Sequence, residues 1–157
     1  MSSPDLPVRR PSRPAGRAAA EFDVDQPFDV DGLYTLRETL TAHASRLGAD
    51  DDQIDHLLIV AGELASNAIR HGGGAGRLRL WHDDYVLYCQ ITDHGPGIAD
   101  PMLGTSMPDP ADGDGGRGLW ICRRLTSRFT IETTDDAPGT TVTAEIPSHD
   151  GNRSTDQ

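Results

Sequence analysis

Residues 50–74 read DDDQIDHLLIVAGELASNAIRHGGG and carry the clearest helical pattern of the chain. The aspartates at the start suit the N-terminus of a helix, where the helix dipole favours negative charge, and the glycines at the end are typical helix terminators. Between them, apolar residues recur at helical spacing, at Ile54, Leu57, Leu58, Ala61, Ala65, Ala68 and Ile69. The pattern therefore predicts a long amphipathic helix that starts at Asp50 and stops at Gly72.

Patterns on either side of this helix predict the rest of a small domain. Leucines at helical spacing, followed by Gly48, predict a second helix within residues 29–48, and similar spacing predicts a third over residues 118–125. Short apolar runs predict strands at residues 20–24, 77–81, 86–91, 129–132 and 140–146, with a turn at residues 82–84. Helices and antiparallel strands that share one core make an α+β fold.

The composition excludes several classes of function. The chain of 157 residues has 14 arginines, no lysine and 25 acidic residues, for a net charge of -11. Without lysine it cannot use a Walker-type phosphate loop, the strand lysine of the protein-kinase fold or Schiff-base chemistry. The strong negative charge also excludes generic binding to duplex nucleic acid, so no direct nucleic-acid partner is expected.

The expected organisation is one domain between two disordered tails. Residues 1–18 are rich in Pro and Arg, residues 148–157 are polar, and the domain is predicted at residues 19–147. A Gly- and Pro-rich segment, residues 94–116, is predicted to be a long functional loop. Two cysteines are too few for a disulfide framework, and no apolar stretch can cross a bilayer, so we expect a cytoplasmic protein without a membrane partner.

The first group of candidate functional residues is formed by Glu63, Asn67 and His71. They follow one another at intervals of four, so they turn by only about 40° per step and share one edge of the predicted helix. A carboxylate there can act as a general base, and an amide oxygen is a hard ligand suited to Mg²⁺. Taken alone, the same spacing is typical of a solvated helix face.

Two glycine-rich groups follow along the chain. In the first, Asp93 ends a predicted strand and precedes Gly95, Gly97 and Ile98, a spacing that lets a ligand approach the backbone closely. In the second, residues 113–119 lead glycines into a helix N-terminus, which favours phosphate. Each group alone is a weak signal, because turns are often built from such residues, and neither has the spacing of a Rossmann fingerprint.

Together and in this order, the groups resemble the N-box and glycine boxes of the GHKL, or Bergerat-fold, ATPases, which have a histidine kinase-like ATPase domain. The segments are ELASNAIRH at residues 63–71, DHGPG at 93–97, GRGL at 116–119 and GTT at 139–141. The resemblance spans about residues 20–147. Within that superfamily, the short chain and the segment GRGLWICRRL, residues 116–125, resemble the anti-sigma factor serine/threonine kinases of Gram-positive bacteria. The use of Arg in place of Lys fits an actinobacterial genome.

The resemblance implies a two-layer sandwich, with helices on one face of a mixed, mostly antiparallel sheet. ATP would lie between the helices and a lid formed by residues 94–116. Glu63 would be the catalytic base, Asn67 the Mg²⁺ ligand, and His71 would orient the end of its helix. The other positions implied to bind ATP are Asp93 at the adenine N6, Gly95, Gly97 and Ile98 around the adenine, Gly116, Arg117, Gly118 and Leu119 at the phosphates, and Thr140 near the nucleotide.

The activity implied by the resemblance is transfer of phosphate from Mg·ATP to serine or threonine of a STAS-type anti-sigma factor antagonist. It leaves open the sequestration of a sigma factor and a homodimer. Sensor histidine kinases fit less well, because only about 50 residues precede the helix that carries the N-box and His43 lacks the context of a phosphoacceptor. The alternative is an ATP-gated regulatory binding module with little or no kinase activity, in which the nucleotide orders the lid and changes the surface offered to a partner.

Overall fold

Three helices and five strands make up the described part of the protein. The computed structural model describes residues 22–95, 117–133 and 139–148, so the predicted N-terminal tail, the predicted C-terminal tail beyond Ser148 and most of the predicted loop lie outside the described residues. The elements are β1 (Val24–Asp29), α1 (Leu33–Arg46), α2 (Asp51–His71), β2 (Ala75–Asp83), β3 (Val86–Asp93), α3 (Arg117–Leu125), β4 (Arg128–Thr133) and β5 (Thr140–Pro147).

Helix α2 is the central element, and both of its ends are set by the residues expected from the sequence. At the start, the side chain of Asp50 accepts a hydrogen bond from the Gln53 backbone N–H at 2.7 Å, which satisfies one of the unpaired donors of the first turn. At the end, the Gly72 N–H donates to the Ala68 carbonyl at 2.8 Å and the chain leaves the helix. With 21 residues, α2 is about 30 Å long.

The five strands form one sheet in the order β1-β2-β3-β5-β4. All four pairings between the described strands are antiparallel, a more uniform sheet than the mixed one expected from the resemblance. Strands β2 and β3 are joined by a two-residue turn, in which Asp84 and Tyr85 both have positive φ, as a type I′ hairpin requires. The turn therefore lies one to two residues later than residues 82–84.

The core lies between the helices and one face of the sheet. Every second residue of the three central strands points to this side and is buried, namely Leu78, Leu80, Leu87, Cys89, Ile91, Val142, Ala144 and Ile146. The buried stripe of α2 packs on them, and the buried Gln53 side chain fixes its first turn by donating to the carbonyls of Tyr85 and Ile146, at 3.1 and 2.9 Å. This anchoring sets the position of the rest of α2 over the sheet.

The α+β class with helices on one face of the sheet is confirmed. The largest difference from the sequence prediction is at the first strand, which was expected at residues 20–24 and spans Val24–Asp29. Polar residues in this strand obscure the alternation of apolar and polar residues that predicts a strand. One of them, Asp25, lies on the outer face and pairs with Arg77 and Arg79 of β2, at 2.6 and 3.3 Å. Those contacts across strands are not visible in the local pattern.

Candidate functional site

The edge of α2 that carries Glu63, Asn67 and His71 lies away from the residues of the helix that pack in the core. Glu63 and Asn67 are partly buried, and His71 is exposed in the last turn of the helix. The apolar stripe of α2 faces the core, so these three side chains are left for contacts at its margin. The structure thus brings the predicted base and the predicted metal ligand to one edge, on a helix whose position is fixed by the core.

The N-terminus of α3 meets α2 at Glu63. A Cβ atom on Gly118 would overlap the Glu63 Oε1 atom and would lie 3.3 Å from Cδ, so the absence of a side chain at Gly118 makes room for this carboxylate. The first backbone N–H groups of a helix have no partner within the helix and point out of its N-terminus. A carboxylate therefore lies beside a set of donors that suits the oxygen atoms of phosphate.

Leu119 contributes to this corner in a different way from the one its motif suggests. Its side chain is 1% exposed and belongs to the core, where it holds the first turn of α3 in place. Its backbone N–H remains part of the helix N-terminus. Arg117 is the first residue of α3, one position before the predicted start of this helix.

Around Asp93, three glycines permit contacts that no other residue would allow. Asp93 ends β3, and a Cβ on Gly72 would lie 2.7 Å from Asp93 Oδ2, so the carboxylate lies against the end of α2. A Cβ on Gly95 would lie 2.7 Å from the carbonyl oxygen of His71, and a Cβ on Gly139 would lie 2.6 Å from the carbonyl oxygen of Asp93. We call Gly72, Asp93, Gly95, Gly139 and Thr140 the Asp93 corner.

The environment of the Asp93 carboxylate is partly desolvated. Burial raises its pKa, although hydrogen bonds from the backbone N–H groups of Gly95 and Thr140 and the nearby charge of His94 act in the opposite direction. The Gly95 N–H donates to Asp93 Oδ1 at 2.9 Å. The carboxylate is thus held in one orientation by its own turn, and an oriented carboxylate can accept a hydrogen bond from the exocyclic amine of a purine.

Next to Asp93, Thr140 carries an unsatisfied polar atom. Thr140 is 3% exposed, is the partner of Asp93 in the register of β3 and β5, and its Oγ1 atom is buried without a hydrogen-bond partner among the residues that the structure describes. Leaving a buried hydroxyl unpaired costs roughly 1–3 kcal/mol. A ligand with a donor or acceptor at that place would satisfy this atom.

Two features of the site were missed from the sequence. Gly72 was interpreted only as a helix terminator, yet it is also the surface against which Asp93 packs. Arg70 was not considered, yet its Nη2 atom donates to the Asn67 Oδ1 atom at 3.0 Å. The sequence held a signal for the role of Gly72, since the three consecutive glycines at residues 72–74 exceed what one helix end needs. The contact between Arg70 and Asn67 follows from the spacing of three residues along a helix.

Some predicted site residues are outside the described part of the protein. Gly97, Ile98 and Gly116 lie in the segment that is not described, as does most of the predicted lid. Within the described residues, no group of three or more His, Cys, Asp or Glu side chains could hold a metal ion.

A cavity of about 300 Å³ lies at the other end of α2. It is lined by Gln53, His56, Arg124 and neighbouring residues, and none of the predicted site residues lines it. The polar Gln53 Nε2 in its wall is already bonded to two carbonyls. The chemistry predicted from the sequence therefore belongs to the opposite end of the helix.

No helix in the described ranges is long and apolar enough to span a bilayer.

Comparisons with known proteins give a family and a fold for this chain. Residues 27–146 match the histidine kinase-like ATPase domain. The chain is similar to the structure of the RsbU and RsbW domains of Rv1364c from Mycobacterium tuberculosis, with 19% identity and a TM-score of 0.54 over 80% of this chain and 32% of that one. It is also similar to a chain of the SiaB–SiaC complex from Pseudomonas aeruginosa, with 13% identity and a TM-score of 0.54 over 78% and 88% of the two chains.

At these identities the structural likeness shows a common fold, and this chain spans about a third of the Rv1364c chain that it matches. No curated protein matched the sequence. The family match covers most of the chain and includes α2, the Asp93 corner and the N-terminus of α3. This protein therefore belongs to the family of histidine kinase-like ATPase domains.

Proposed function

We propose that this protein is an ATP- and Mg²⁺-dependent protein kinase of the anti-sigma factor type, which phosphorylates a serine or threonine of a STAS-type antagonist. One observation carries the proposal: the Glu63 carboxylate lies against Gly118 at the N-terminus of α3. A carboxylate at a phosphate-binding helix end repels the phosphate of a bound nucleotide, so its presence there needs a reason. Accepting the proton of an attacking hydroxyl is such a reason.

The described residues fit the nucleotide that the family name implies. The Asp93 carboxylate and the unpaired Thr140 Oγ1 offer an acceptor and a donor for the edge of adenine, at one end of the site. The N-terminal N–H groups of α3 suit the phosphates, and the oxygen of Asn67 suits Mg²⁺, which takes oxygen ligands and is commonly bound together with substrate phosphates. Bound Mg²⁺ would neutralise charge on the phosphates.

In the proposed reaction, the substrate hydroxyl oxygen attacks the γ-phosphorus of ATP and the bond to the ADP oxygen breaks. Glu63 takes up the hydroxyl proton, while the α3 N-terminus stabilises negative charge on the phosphates. No lysine is needed for these steps, in keeping with a chain that has none. The partner class rests on the sequence resemblance, and the similarity to an RsbW domain and to a SiaB–SiaC complex supports it.

The test is phosphate transfer from γ-labelled ATP with Mg²⁺ to STAS-type candidates encoded near the gene, followed by mass spectrometry. We expect Glu63→Gln to lower transfer by on the order of 10²- to 10⁴-fold, the usual contribution of a general base. ATP affinity, measured by calorimetry, is expected to be kept or to rise, because the variant keeps the shape of the side chain and removes a charge that repels the phosphates.

The matched control is Glu38→Gln, which removes an exposed carboxylate of α1. It is expected to transfer phosphate at the wild-type rate. Equal transfer by the wild type and Glu63→Gln contradicts the assignment of the base. ATP binding without transfer to any candidate favours the nucleotide-gated binding module, and absence of ATP binding removes both functions.

A further inference from the structure

The outer face of the sheet, which points away from the three described helices, carries a cluster of aromatic rings. The indole of Trp81 stacks on the Tyr88 ring, with centroids 5.1 Å apart and planes 2° from parallel, and the Phe22 ring meets the indole edge-on at 5.5 Å. Trp81 is only 1% exposed, yet it is not part of the core cluster between the helices and the sheet. A large apolar side chain is thus buried on a face that no described helix covers.

This aromatic cluster already holds one guanidinium. Arg79 lies over the Phe22 ring, with its Cζ atom 5.0 Å from the ring centroid, and the negative face of an aromatic ring attracts such a cation. A carboxylate lies next to the cluster as well, because Glu145 is the partner of Tyr88 in the register of β3 and β5 and shares its face of the sheet. An aromatic ring beside a carboxylate is a combination that suits arginine.

Glu145 lies on the more acidic half of this face. On β4 and β5, the outward carboxylates of Glu132 and Glu145 outnumber Arg128, whereas on β1 and β2 two arginines share the carboxylate of Asp25. Burial raises the pKa of Glu145, although the charge of Arg128 acts in the opposite direction. A partly desolvated carboxylate is stabilised by a hydrogen-bonded cation, so a further guanidinium on this face is attracted toward Glu145.

The segment of chain that leads to Phe22 carries such guanidinium groups. Residues 9–17 contain four arginines and no acidic residue, and the chain that follows them reaches the aromatic cluster at Phe22. Arg17 is five residues from Phe22, and five extended residues span at most about 17 Å. Glu145 lies two strands away from Trp81, which is about 10 Å at the usual strand spacing. The side chain of Arg17 is therefore within reach of Glu145.

We propose that the outer face of the sheet is the docking surface for the chain's own arginine-rich N-terminal segment, with the Arg17 guanidinium held between the Tyr88 ring and the Glu145 carboxylate. The occupant is the same chain, because the segment starts on the aromatic cluster and its charge complements the acidic half of the face. The contact is independent of the proposed kinase reaction, since Glu63 lies on the other side of the sheet.

The first test is a double-mutant cycle with the full chain, in which urea unfolding measures the equilibrium constant of unfolding. Arg17→Gln should raise this constant about threefold, the size expected of a partly exposed ion pair. Glu145→Gln also loses the interaction with Arg128, so only the cycle isolates the proposed pair. In the Glu145→Gln background, Arg17→Gln should have no further effect.

The matched control is Arg9→Gln, which removes the same charge from the far end of the arginine-rich stretch. It should unfold like the wild type. An Arg17→Gln variant that unfolds like the wild type, or one whose effect is the same with and without the Glu145 carboxylate, overturns the proposal.

The second test is nuclear magnetic resonance of the full chain labelled with 13C and 15N. Nuclear Overhauser contacts are expected between the Arg17 side chain and the Tyr88 ring, and the Arg9 side chain should give none. A mixture of labelled and unlabelled chains shows which copy provides the arginine. Contacts that appear between two chains assign the face to a second copy and overturn the intramolecular docking, as does the absence of any contact from Arg17.

Discussion

Thr140 shows at the level of one residue how a binding site differs from a core. Its Oγ1 atom is buried beside Asp93 and makes no hydrogen bond within the described part of the chain, in a position where valine would fill the same space without a polar atom. Folding alone would favour valine there, because an unpaired buried hydroxyl is destabilising. Its retention makes sense if a ligand completes the missing bond.

We therefore expect Thr140→Val to have opposite effects on stability and binding. The free energy of unfolding without nucleotide should rise by about 1 kcal/mol, because the unpaired hydroxyl is gone. ATP affinity should fall by about three- to tenfold, the value of one neutral hydrogen bond. Urea unfolding and calorimetry measure the two effects.

The control is Thr143→Val, on the same strand. Thr143 is also buried, but its Oγ1 atom accepts a hydrogen bond from Gln90 Nε2 at 3.1 Å. That variant should lose stability and keep its ATP affinity. A Thr140→Val protein that is destabilised like Thr143→Val contradicts the role of the unpaired hydroxyl.

At the level of elements, the contact between α2 and α3 sets the position of the proposed base. Gly118 lies in the first turn of α3, where alanine would ordinarily stabilise the helix by up to about 1 kcal/mol. A Cβ there would overlap Glu63 Oε1, the end of a flexible side chain that can turn aside without disturbing the backbone. Catalysis and stability therefore respond differently to this substitution.

Gly118→Ala is expected to leave the free energy of unfolding unchanged or slightly higher and to lower phosphate transfer at least tenfold. The reason is that a displacement of about 1 Å of a catalytic group can cost on the order of 10² in rate. Single-turnover transfer and urea unfolding provide the measurements. Gly62→Ala is the matched control, since a Cβ at Gly62 would meet only the Arg37 Nη1 atom, at 3.9 Å. Equal transfer rates of the two variants contradict the proposed positioning.

The same elements show what could be predicted from the sequence and what could not. The helices and the four later strands follow from local periodicity, which is why their predicted cores survive with small changes at the ends. The partners of Gly72 and Gly139 could not be predicted, because Asp93 is far from both along the chain and meets them only through strand pairing and helix packing. Glu63 and Asn67 could be placed on one edge from the sequence because helical spacing alone brings them together, whereas their proposed roles as base and metal ligand came from the family resemblance.

At the scale of the whole molecule, the acidic chain contains carboxylates that act on stability in opposite directions. For Asp93, burial raises the pKa. For Asp25, burial would also raise the pKa, but the hydrogen bonds and charges of Arg77 and Arg79 outweigh it and the pKa is lowered. The fold thus destabilises the charged form of Asp93, whereas it stabilises the charged form of Asp25.

The sign of each effect on stability follows from linkage. The folded state holds the Asp93 proton more tightly than the unfolded state, so the contribution of Asp93 is full below the unfolded pKa and is lost as the pH rises through the folded value. The folded state holds the Asp25 proton less tightly, so the contribution of Asp25 is present above the unfolded pKa and is lost as the pH falls through the folded value.

The free energy of unfolding of Asp93→Asn at pH 7 is therefore expected to be at least as high as that of the wild type. The difference in its favour should shrink as the pH falls toward 4. Asp25→Asn is expected to be less stable than the wild type at pH 7, with a deficit that persists down to the ordinary Asp pKa of 3.8 and shrinks below it. Urea unfolding of the three proteins at pH 7, 4.5 and 3 measures both differences. Only Asp93→Asn should also lose ATP binding, because its amide presents a donor where adenine N6 needs an acceptor. A clear loss of stability in Asp93→Asn at pH 7 would show that this carboxylate serves the fold, and the case for its retention as a nucleotide ligand would fail.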